Sequence, residues 1–370
     1  MDLTGLPLAL YGHCELCPRH CGANRLAGEV GACGAGAGLR AARSALHFWE
    51  EPPISGEAGS GAIFFTGCPL RCVFCQNHDI SQEGSGRDVP VGRVAQMMLE
   101  LEAQGAININ LVTPLHFAPQ VRQAVLLSRE AGMTLPVVCN TSGYETPEVV
   151  RAMGDVVDVW LTDFKFSSGD LACRLMQARD YPEVAEEALV EMLSSVREGG
   201  GRLLGADGRM LRGVIVRHLV MPGHADDSLR VLDRVWALCH NEVDISVMNQ
   251  YTPNKRCLRA GGDLVRAVTG EEYERVLDHA DALGFERMWW QQGGTPKETV
   301  AYRIAVQAVP ELADKTLLPV YMPMTMDLDI QRENHEQSAR AIEEYLEKGK
   351  NVVYLTLGDP TIYCTFSYLQ

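Results

Sequence analysis

The chain has 370 residues, which is enough for one large domain or two domains of ordinary size. Hydrophobic residues make up 46% and charged residues 22%, as is typical of a soluble globular protein. A net charge of −15 argues against nucleic acid or an anionic membrane as the main partner. The sequence contains no run of about 18 apolar residues, so no transmembrane helix is predicted. The first residues lack the basic start of a signal peptide. We therefore expect a cytoplasmic protein.

The twelve cysteines are distributed unevenly along the chain. The first group, near the start, is Cys14, Cys17, Cys21 and Cys33. The second group is Cys68, Cys72 and Cys75, and the other five cysteines are scattered. Because disulfides are rare in a reducing compartment, the two groups predict metal ligands. The scattered cysteines are expected to be small buried apolar residues.

Three segments differ in character along the chain. Residues 1–58 are rich in Gly, Cys, Ala and Pro with little periodicity, and we interpret them as a Cys-rich metal-binding extension. Residues 59–298 alternate short apolar runs with helical patterns. Strands are predicted within 61–67, 107–114, 135–143, 157–166, 213–223 and 244–253. Helices are predicted within 89–105, 118–132, 146–154, 168–178, 182–198, 226–240 and 269–284, the last with a capping box at Thr269 and Glu272.

This alternation predicts an α/β fold of about six βα units, with parallel strands joined by right-handed crossovers. Six units suit an open sheet or a partial barrel, and in both the ligand site lies at the carboxyl ends of the strands. The residues that fall at those ends are Cys68, Thr113, Asn140, Asp163, Pro222 and Gln250.

Residues 299–370 no longer follow that alternation. An amphipathic helix is predicted within 334–350, with Gly349 as its stop, followed by a buried strand that runs into the Gly358-Asp359-Pro360 turn. One or two βα units do not bury a sheet on both faces, so we interpret the segment as an incomplete domain.

The second cysteine group has the spacing C-x3-C-x2-C. Iron–sulfur cubanes usually take four cysteines, so three thiolates from one loop leave one iron with an open position. An open position is what a catalytic metal offers its substrate. The group therefore predicts a catalytic iron–sulfur cluster.

The sequence Cys68-Pro-Leu-Arg-Cys72-Val-Phe74-Cys75 resembles the radical S-adenosylmethionine (SAM) superfamily. The resemblance implies a partial βα barrel, a [4Fe-4S] cluster on the three cysteines, and SAM chelated to the open iron. It also implies reductive cleavage of SAM to a 5′-deoxyadenosyl radical, fed by an external one-electron reductant of the flavodoxin or ferredoxin type. Phe74 is expected near the adenine, and Asn77, which closes the motif, at the same cofactor site.

Further motifs between residues 10 and 292, among them "HFWEEPPISG", "NTSGYE" and "TDFKF", resemble uncharacterised homologues of pyruvate formate-lyase activating enzyme. That resemblance implies a glycyl-radical protein as a possible partner. Where such activases carry a Gly-Gly-Glu stretch that binds the amino group of SAM, this chain has no carboxylate, and Thr113 is the substitute that the resemblance implies. The resemblance places Asn140 and Ser142 near the ribose and Lys165 of the Asp163-x-Lys165 pair at the SAM carboxylate. The alternative for Asp163 and Lys165 is a surface ion pair.

Two further sites leave alternatives open. Four thiolates at Cys14, Cys17, Cys21 and Cys33 suit either a closed structural zinc or a second cluster, and this glycine-rich segment needs such a staple to fold. Arg217 and His218 are neighbours on one predicted strand, so their side chains point to opposite faces. We place His218 near the cofactor, with a hydrogen-bonded core histidine as the alternative.

Residues 300–370 resemble the precorrin-2 or cobalt-factor-2 C20-methyltransferases of cobalamin synthesis. The resemblance places Gly358, Asp359 and Pro360 beside SAM, although the glycine-rich loop and the second half of that family are missing. Three hypotheses follow. The chain is a radical SAM enzyme, which we favour, a C20-methyltransferase-like enzyme, or a non-catalytic metal-binding or electron-transfer module.

Overall fold

The computed structural model describes residues 5–291 and 339–352, together with Val306, Val309, Glu311, Leu312 and Lys315. The chain divides into two compact units, Met1–Gln291 and Gln292–Gln370. In the second unit residues 339–347 are helical, and Gly349 has a φ of 68°, so the predicted helix and its glycine stop are confirmed. The predicted turn at Gly358, Asp359 and Pro360 lies outside the described residues.

The described part of the first unit contains ten strands. They are Arg40–His47 (β1), Ser60–Phe65 (β2), Arg87–Asp88 (β3), Ile109–Val112 (β4), Val137–Thr141 (β5), Val159–Asp163 (β6), Leu203–Leu204 (β7), Met210–Leu219 (β8), Asp244–Met248 (β9) and Met288–Trp290 (β10). Their order is β10-β9-β8-β6-β5-β4-β2-β1-β3, with β7 paired to β8. All six strands predicted from the sequence are present.

Ten α-helices lie in the described part of the same unit. They are Pro52–Ser55 (α1), His78–Ser81 (α2), Val91–Ala103 (α3), Ala118–Glu130 (α4), Pro147–Met153 (α5), Gly169–Met176 (α6), Tyr181–Glu198 (α7), Ala225–Cys239 (α8), Lys255–Ala260 (α9) and Gly270–Leu283 (α10). The predicted capping box of α10 is formed by Thr269 and Glu272. Among the described residues, no helix combines the length and apolar character needed to cross a membrane.

Seven strands, β2, β4, β5, β6, β8, β9 and β10, run parallel, which is one more than the sequence indicated. Each is joined to the next through at least one helix, as parallel pairing requires. The strand order is a path from β10 to β3 rather than a ring. The α/β prediction is confirmed, and the sheet of the described residues is open.

The segment interpreted as a loop-rich extension contributes to this sheet. Strand β1 pairs antiparallel with β2 from Ala41 to His47, with an irregularity between Ala41 and Arg43. That irregularity, and the mixed burial of β1, explain why no alternation marks the strand in the sequence. Helix α1 begins with two prolines, and its Ile54 is fully buried. The β1–β2 connection is therefore a packed part of the fold.

The two faces of the parallel sheet carry different side chains. One face packs on the helices and includes Cys139, Trp160, Val216 and Val247 within the main core. The opposite face forms a smaller apolar cluster of Ile54, Val138, Val159, Leu161, Met210 and Ile215. Because side chains alternate along a strand, Asn140, Asp163 and Arg217 share this second face and follow its apolar residues toward the carboxyl ends. The second face is therefore apolar at its base and polar where the ligand site is expected.

Candidate functional site

The loop of the second cysteine group begins directly after β2. Gly67 has a φ of 95°, and a Cβ atom there would lie 2.8 Å from the carbonyl oxygen of Cys33. A residue with a side chain is excluded by both facts, since the left-handed region and the close approach each require glycine. The Gly67 N–H donates to Ile80 O at 3.1 Å, and the Cys68 N–H donates to Cys33 O at 3.0 Å.

Neighbouring elements hold the rest of this loop through its backbone. The N–H groups of Arg71 and Val73 donate to Met176 O at 3.2 Å and to Leu175 O at 2.9 Å, at the end of α6. The side-chain amide of Asn254 donates to Val73 O at 3.0 Å and to Cys75 O at 3.3 Å. The loop is thus fixed from two sides, so its three thiols are held in place before any ligand binds.

The three sulfur atoms lie close enough to influence one another. Burial raises the pKa of Cys68 well above its usual range, and negative charge on Cys72 or Cys75 raises it further. Burial likewise raises the pKa of Cys72 to about 12. Hydrogen bonds reach two sulfurs, from Leu70 N at 3.4 Å to Cys68 Sγ and between Ser81 Oγ and Cys75 Sγ at 3.3 Å. Crowded, buried thiolates of this kind require a cationic partner.

That partner fits a cluster better than a single ion. In the described part of the chain, no three His, Cys, Asp or Glu side chains are grouped closely enough to hold one metal ion. A cubane offers a separate iron to each of three thiolates, which therefore need not converge on one point. The donor set of Cys68, Cys72 and Cys75 thus fits the [4Fe-4S] cluster expected from the motif.

A charged network lies at the carboxyl ends of the neighbouring strands, and Arg217 of β8 is its centre. The Arg217 guanidinium donates to Asp163 Oδ1 at 2.9 Å, to Asn140 Oδ1 at 2.6 Å and to Glu50 Oε2 at 3.2 Å. The Lys165 ammonium pairs with the other oxygen of Asp163. Glu50 Oε1 in turn accepts from the amide of Asn110 at 3.1 Å. Four consecutive parallel strands and the β1–β2 connection therefore meet here.

Electrostatics connects this network with the cysteine loop. Burial alone would raise the pKa of Asp163, but the charges of Arg217 and Lys165 outweigh it and hold that pKa below its usual range. Burial lowers the pKa of Lys165, but the Asp163 carboxylate outweighs it, and the net shift is upward. The Lys165 charge also opposes the rise in the pKa of Cys72. Asp163 and Lys165, with side chains 15% and 19% exposed, thus form a largely buried ion pair beside the cysteine loop.

Several polar groups near the strand ends have no protein partner among the described residues. They include Asn110 Oδ1 and Ser142 Oγ, which are both buried. Buried polar atoms are nearly always hydrogen-bonded, so unpaired ones at a strand end indicate a polar ligand. Thr113, directly after β4, has a φ of 53° although it is β-branched. Such strain concentrates at functional sites.

His218 lies on the helix-packed face of β8. Its Nδ1 lies 2.8 Å from Phe164 O, its side chain is 1% exposed, and its Nε2 is buried without a partner among the described residues. Arg217 takes the face shared with Asn140 and Asp163. This geometry favours the core-histidine alternative, and a contact between His218 and the cofactor stays a prediction.

Two other candidates are less well defined in position. Phe74 is 7% exposed and meets Phe166 edge-on, with ring centroids 5.9 Å apart. Asn77 precedes α2 and is exposed. Neither observation tests the adenine and cofactor contacts expected of these residues.

Sequence patterns alone did not identify Glu50, Asn110 and Arg217 as members of the network. Asn108, directly before β4, and Asn110 within it alternate with apolar residues, and buried amides on one face of a strand are a signal for polar contacts. Nothing local marks Glu50, because its partners Arg217 and Asn140 lie far along the chain. Its role depends on the fold of the β1–β2 connection.

The first group of cysteines lies beside the cysteine loop. Cys14, Cys17 and Cys33 are buried, and Cys21 is exposed. All four are free thiols. Three hydrogen bonds join this segment to the loop, from Cys68 N to Cys33 O at 3.0 Å, from Arg71 Nη2 to Ala32 O at 2.7 Å and from Arg19 Nε to Pro69 O at 2.8 Å.

Two family models match the chain. Residues 62–235 match the radical SAM superfamily, and residues 274–370 match the tetrapyrrole (corrin/porphyrin) methylases. An uncharacterized protein of Methanocaldococcus jannaschii is 30% identical over 291 residues, which cover 76% of this chain and 78% of that protein. The resemblances to the radical SAM superfamily and to the tetrapyrrole methylases are confirmed at that level, while those to activating enzymes and to C20-methyltransferases stay predictions.

Solved structures with a related arrangement include SuiB of Streptococcus suis bound to S-adenosylmethionine. It is 12% identical, with a TM-score of 0.42, over 61% of this chain and 48% of SuiB, so the chain spans about half the length of SuiB. A radical SAM methyltransferase from Sphaerobacter thermophilus is 16% identical, with a TM-score of 0.41, over 65% of this chain and 69% of that protein.

Proposed function

Because the chain belongs to the radical SAM superfamily, we propose that it cleaves SAM reductively at a [4Fe-4S] cluster bound by Cys68, Cys72 and Cys75. The observation that carries this proposal is a loop of three thiols at the carboxyl end of β2, beside the buried Lys165–Asp163 pair. When bound by these three cysteines, the cluster would supply the electron for reductive cleavage of SAM to methionine and a 5′-deoxyadenosyl radical, the species that would take a hydrogen atom from the substrate.

The charges at the strand ends suit the zwitterionic part of SAM. Lys165 and Arg217 are cations for its carboxylate, and Glu50 is a carboxylate for its ammonium group, a role that the Gly-Gly-Glu stretch has in activases. Asp163 keeps both cations oriented, since it binds each of them. Glu50 thus supplies the carboxylate that is missing near Thr113. From the sequence, the role of this carboxylate was expected of Thr113.

The remaining contacts are polar or aromatic. Asn110 Oδ1 and Ser142 Oγ are free to bind the ribose or the amino group, since neither has a protein partner among the described residues. Asn140 is held by Arg217 with its amide facing the same site. Phe74, within the loop, packs against Phe166 and supplies an aromatic surface for the adenine. Asn77 lies at the exposed end of the loop, where it closes the cofactor site.

The finer part of the proposal concerns the partners. We assign the electron to a flavodoxin or ferredoxin, and the hydrogen atom to a glycine of a glycyl-radical protein. The support is the motif resemblance to activating enzymes, which extends beyond the three cysteines to "NTSGYE" and "TDFKF". A glycyl radical has its own electron paramagnetic resonance signal, so incubation with a candidate partner, SAM and reductant tests this assignment. Absence of that signal with every partner encoded near the gene contradicts it.

Reductive SAM cleavage is tested with anaerobically reconstituted protein. Wild type with dithionite and SAM should form 5′-deoxyadenosine and methionine in equal amounts. Cys72→Ala should form neither, because one iron loses its thiolate, while Cys173→Ala should match wild type, since Cys173 lies on α6 outside both cysteine groups. A reconstituted wild-type cluster that never binds SAM would support the non-catalytic electron-transfer hypothesis instead.

A second candidate function rests on the match of residues 274–370 to the tetrapyrrole methylases. It assigns methyl transfer from SAM to C20 of precorrin-2 to this segment, with Gly358, Asp359 and Pro360 beside SAM. Formation of S-adenosylhomocysteine from SAM and precorrin-2, undiminished in Cys72→Ala, supports it. No S-adenosylhomocysteine from either protein overturns it.

A further inference from the structure

The segment of the first cysteine group folds back on itself and brings two of its sulfur atoms, those of Cys21 and Cys33, against one glycine. The Cys14 N–H donates to Ala23 O at 3.1 Å and the Gly22 N–H donates to Cys14 O at 3.0 Å, which closes the chain back on itself. A Cβ atom on Gly31 would lie 3.4 Å from Cys33 Sγ and 3.5 Å from Cys21 Sγ. Both sulfur atoms therefore lie against the same glycine.

Backbone amides are directed at these sulfur atoms in a repeated arrangement. The N–H groups of Arg19, Ala23 and Ala35 each point to the cysteine two residues earlier, namely Cys17, Cys21 and Cys33. Cys68 of the cluster loop has the same arrangement, with Leu70 N at 3.4 Å from its sulfur. Amide hydrogen bonds stabilise thiolates more than thiols. The first group therefore shares this amide-to-sulfur arrangement with the cluster loop.

A buried arginine gives the second, independent observation. Arg25 is 1% exposed, and its guanidinium lies 3.7 Å from the centre of the Tyr11 ring. It donates to Gly36 O at 2.9 and 2.7 Å and to His116 O at 2.7 Å. No carboxylate among the described residues pairs with it. Its Nη1 lies 3.8 Å from Cys14 Sγ, so a cysteine is the available anion.

We propose that Cys14, Cys17, Cys21 and Cys33 bind a second metal centre whose excess negative charge is balanced by Arg25. Four thiolates carry two more charges than Zn²⁺ or a [4Fe-4S]²⁺ cluster neutralises. Arg25 stays protonated in any protein environment, and a buried cation without a counter-ion is strongly unfavourable. Four ligated thiolates beside it remove that cost. Among the described residues no three such side chains are grouped closely enough for one ion, so zinc requires the sulfur atoms to move closer together, whereas a cluster takes them further apart.

The centre also has a mechanical consequence for the cluster loop. Cys33 O accepts from Cys68 N at 3.0 Å, and Arg19 Nε donates to Pro69 O at 2.8 Å. In each bond one partner, Cys33 or Arg19, belongs to the segment that carries the first cysteine group. Ordering this segment with a metal therefore orders the backbone on both sides of Cys68.

Metal content tests the proposal independently of SAM cleavage. A variant with Cys68, Cys72 and Cys75 all changed to Ala removes the catalytic cluster, and hence the proposed function, but leaves the first group intact. After anaerobic expression and desalting, it should retain about one zinc, or about four iron and four sulfide, per chain. The zinc, iron and sulfide measurements distinguish the two metals. A metal-free triple variant, with a circular dichroism spectrum like that of wild type, overturns the proposal.

Two substitutions in this background localise the metal. Cys21→Ala changes the exposed cysteine and should lose the metal with the fold intact, whereas the matched control Cys173→Ala should keep it. Arg25→Met should lower metal retention at least tenfold against a competing chelator, and Arg25→Lys should restore most of it. Metal content unchanged in Cys21→Ala identifies an adventitious ion, and retention unchanged in Arg25→Met removes the role of the arginine. Either result contradicts the proposal.

Discussion

Each of the two cysteine groups is accompanied by a buried arginine, and the two arginines are balanced in different ways. Arg217, at the strand ends, binds the carboxylates of Asp163 and Glu50. Arg25, in the N-terminal segment, binds carbonyl oxygens and aromatic rings and has Cys14 as its nearest anion. The protein thus supplies the counter-charge itself at one site, and through bound thiolates at the other.

This difference fits what each site has to do. A site that admits a zwitterionic ligand needs both positive and negative side chains in place before the ligand binds. Ion pairs between the protein and the ligand then replace ion pairs within the protein. A permanently occupied metal centre needs only a cation that offsets its excess negative charge. The predictions below separate these two cases by removing one partner at a time.

Loss of Arg217 should have the largest effect on stability. In Arg217→Met, Asp163 and Glu50 keep their negative charges in a buried environment with one cation fewer. Breaking a buried pair in this way costs about 3–5 kcal/mol in the free energy of unfolding. Arg197→Met is the matched control, because Arg197 forms an exposed pair with Glu242 that is expected to contribute about 0–1 kcal/mol. Equal denaturant midpoints for the two variants contradict a buried network.

Acid sensitivity should arise from His116, which lies between the two groups. Burial lowers its pKa to about 4, so the folded protein keeps it neutral where the unfolded chain, with a pKa near 6.5, becomes protonated. The stabilising contribution is therefore complete above pH 6.5 and is lost as the pH falls toward 4, by about 3 kcal/mol in total.

The titration of His116 is checked by thermal unfolding at several pH values. His116→Gln should flatten the loss of stability between pH 6.5 and 4, because glutamine does not titrate. The exposed His13, in His13→Gln, is the control and should leave the profile unchanged. If His116→Gln loses stability between pH 6.5 and 4 as steeply as wild type does, the acid sensitivity arises from another group.

The effect of Arg25→Met on the free energy of unfolding should depend on whether metal is bound. With metal bound, the variant should lose about 2 kcal/mol of unfolding free energy, as expected when a charged group loses its hydrogen-bonded partner. After treatment with a strong chelator Arg25 no longer faces four ligated thiolates, and removing the unbalanced cation should leave stability equal to wild type or raise it. Unfolding curves with and without chelator measure both values. A destabilisation of the same size in both conditions means that Arg25 acts through packing alone.

Much of the fold follows from sequence patterns, because long parallel strands and amphipathic helices have strong periodicities. The helices around Val94 and Val125 and the strands around Leu111 and Leu161 all lie where the alternation predicts them. Strand β1 was missed, because its irregular pairing with β2 breaks the two-residue period. The short β10 was missed because three residues carry too little pattern.

The site was predictable in part for a similar reason. The three cysteines of the loop form a local motif, and Asp163 and Lys165 lie two residues apart, so sequence alone brings each set together. Glu50 and Arg217 are far apart along the chain, and their pairing depends on how the β1–β2 connection crosses the sheet. The sequence alone does not decide whether Arg217 or His218 shares a face with Asp163, because that depends on the phase of β8 relative to its neighbours, which only the register determines.

Ser81→Ala should have the smallest effect and tests whether the cluster loop is tuned by side chains as well as amides. Ser81 Oγ lies 3.3 Å from Cys75 Sγ, and a hydroxyl that donates to a ligating thiolate stabilises the reduced, more negative cluster. Its loss should lower the midpoint potential by the equivalent of about 1 kcal/mol, with the iron content unchanged. Redox titration of the reconstituted protein measures this shift, and Ser44→Ala, an exposed position on β1, is the control. An unchanged potential would assign the tuning of the loop to its backbone, as the amide-to-sulfur contacts of the N-terminal group already indicate for that site.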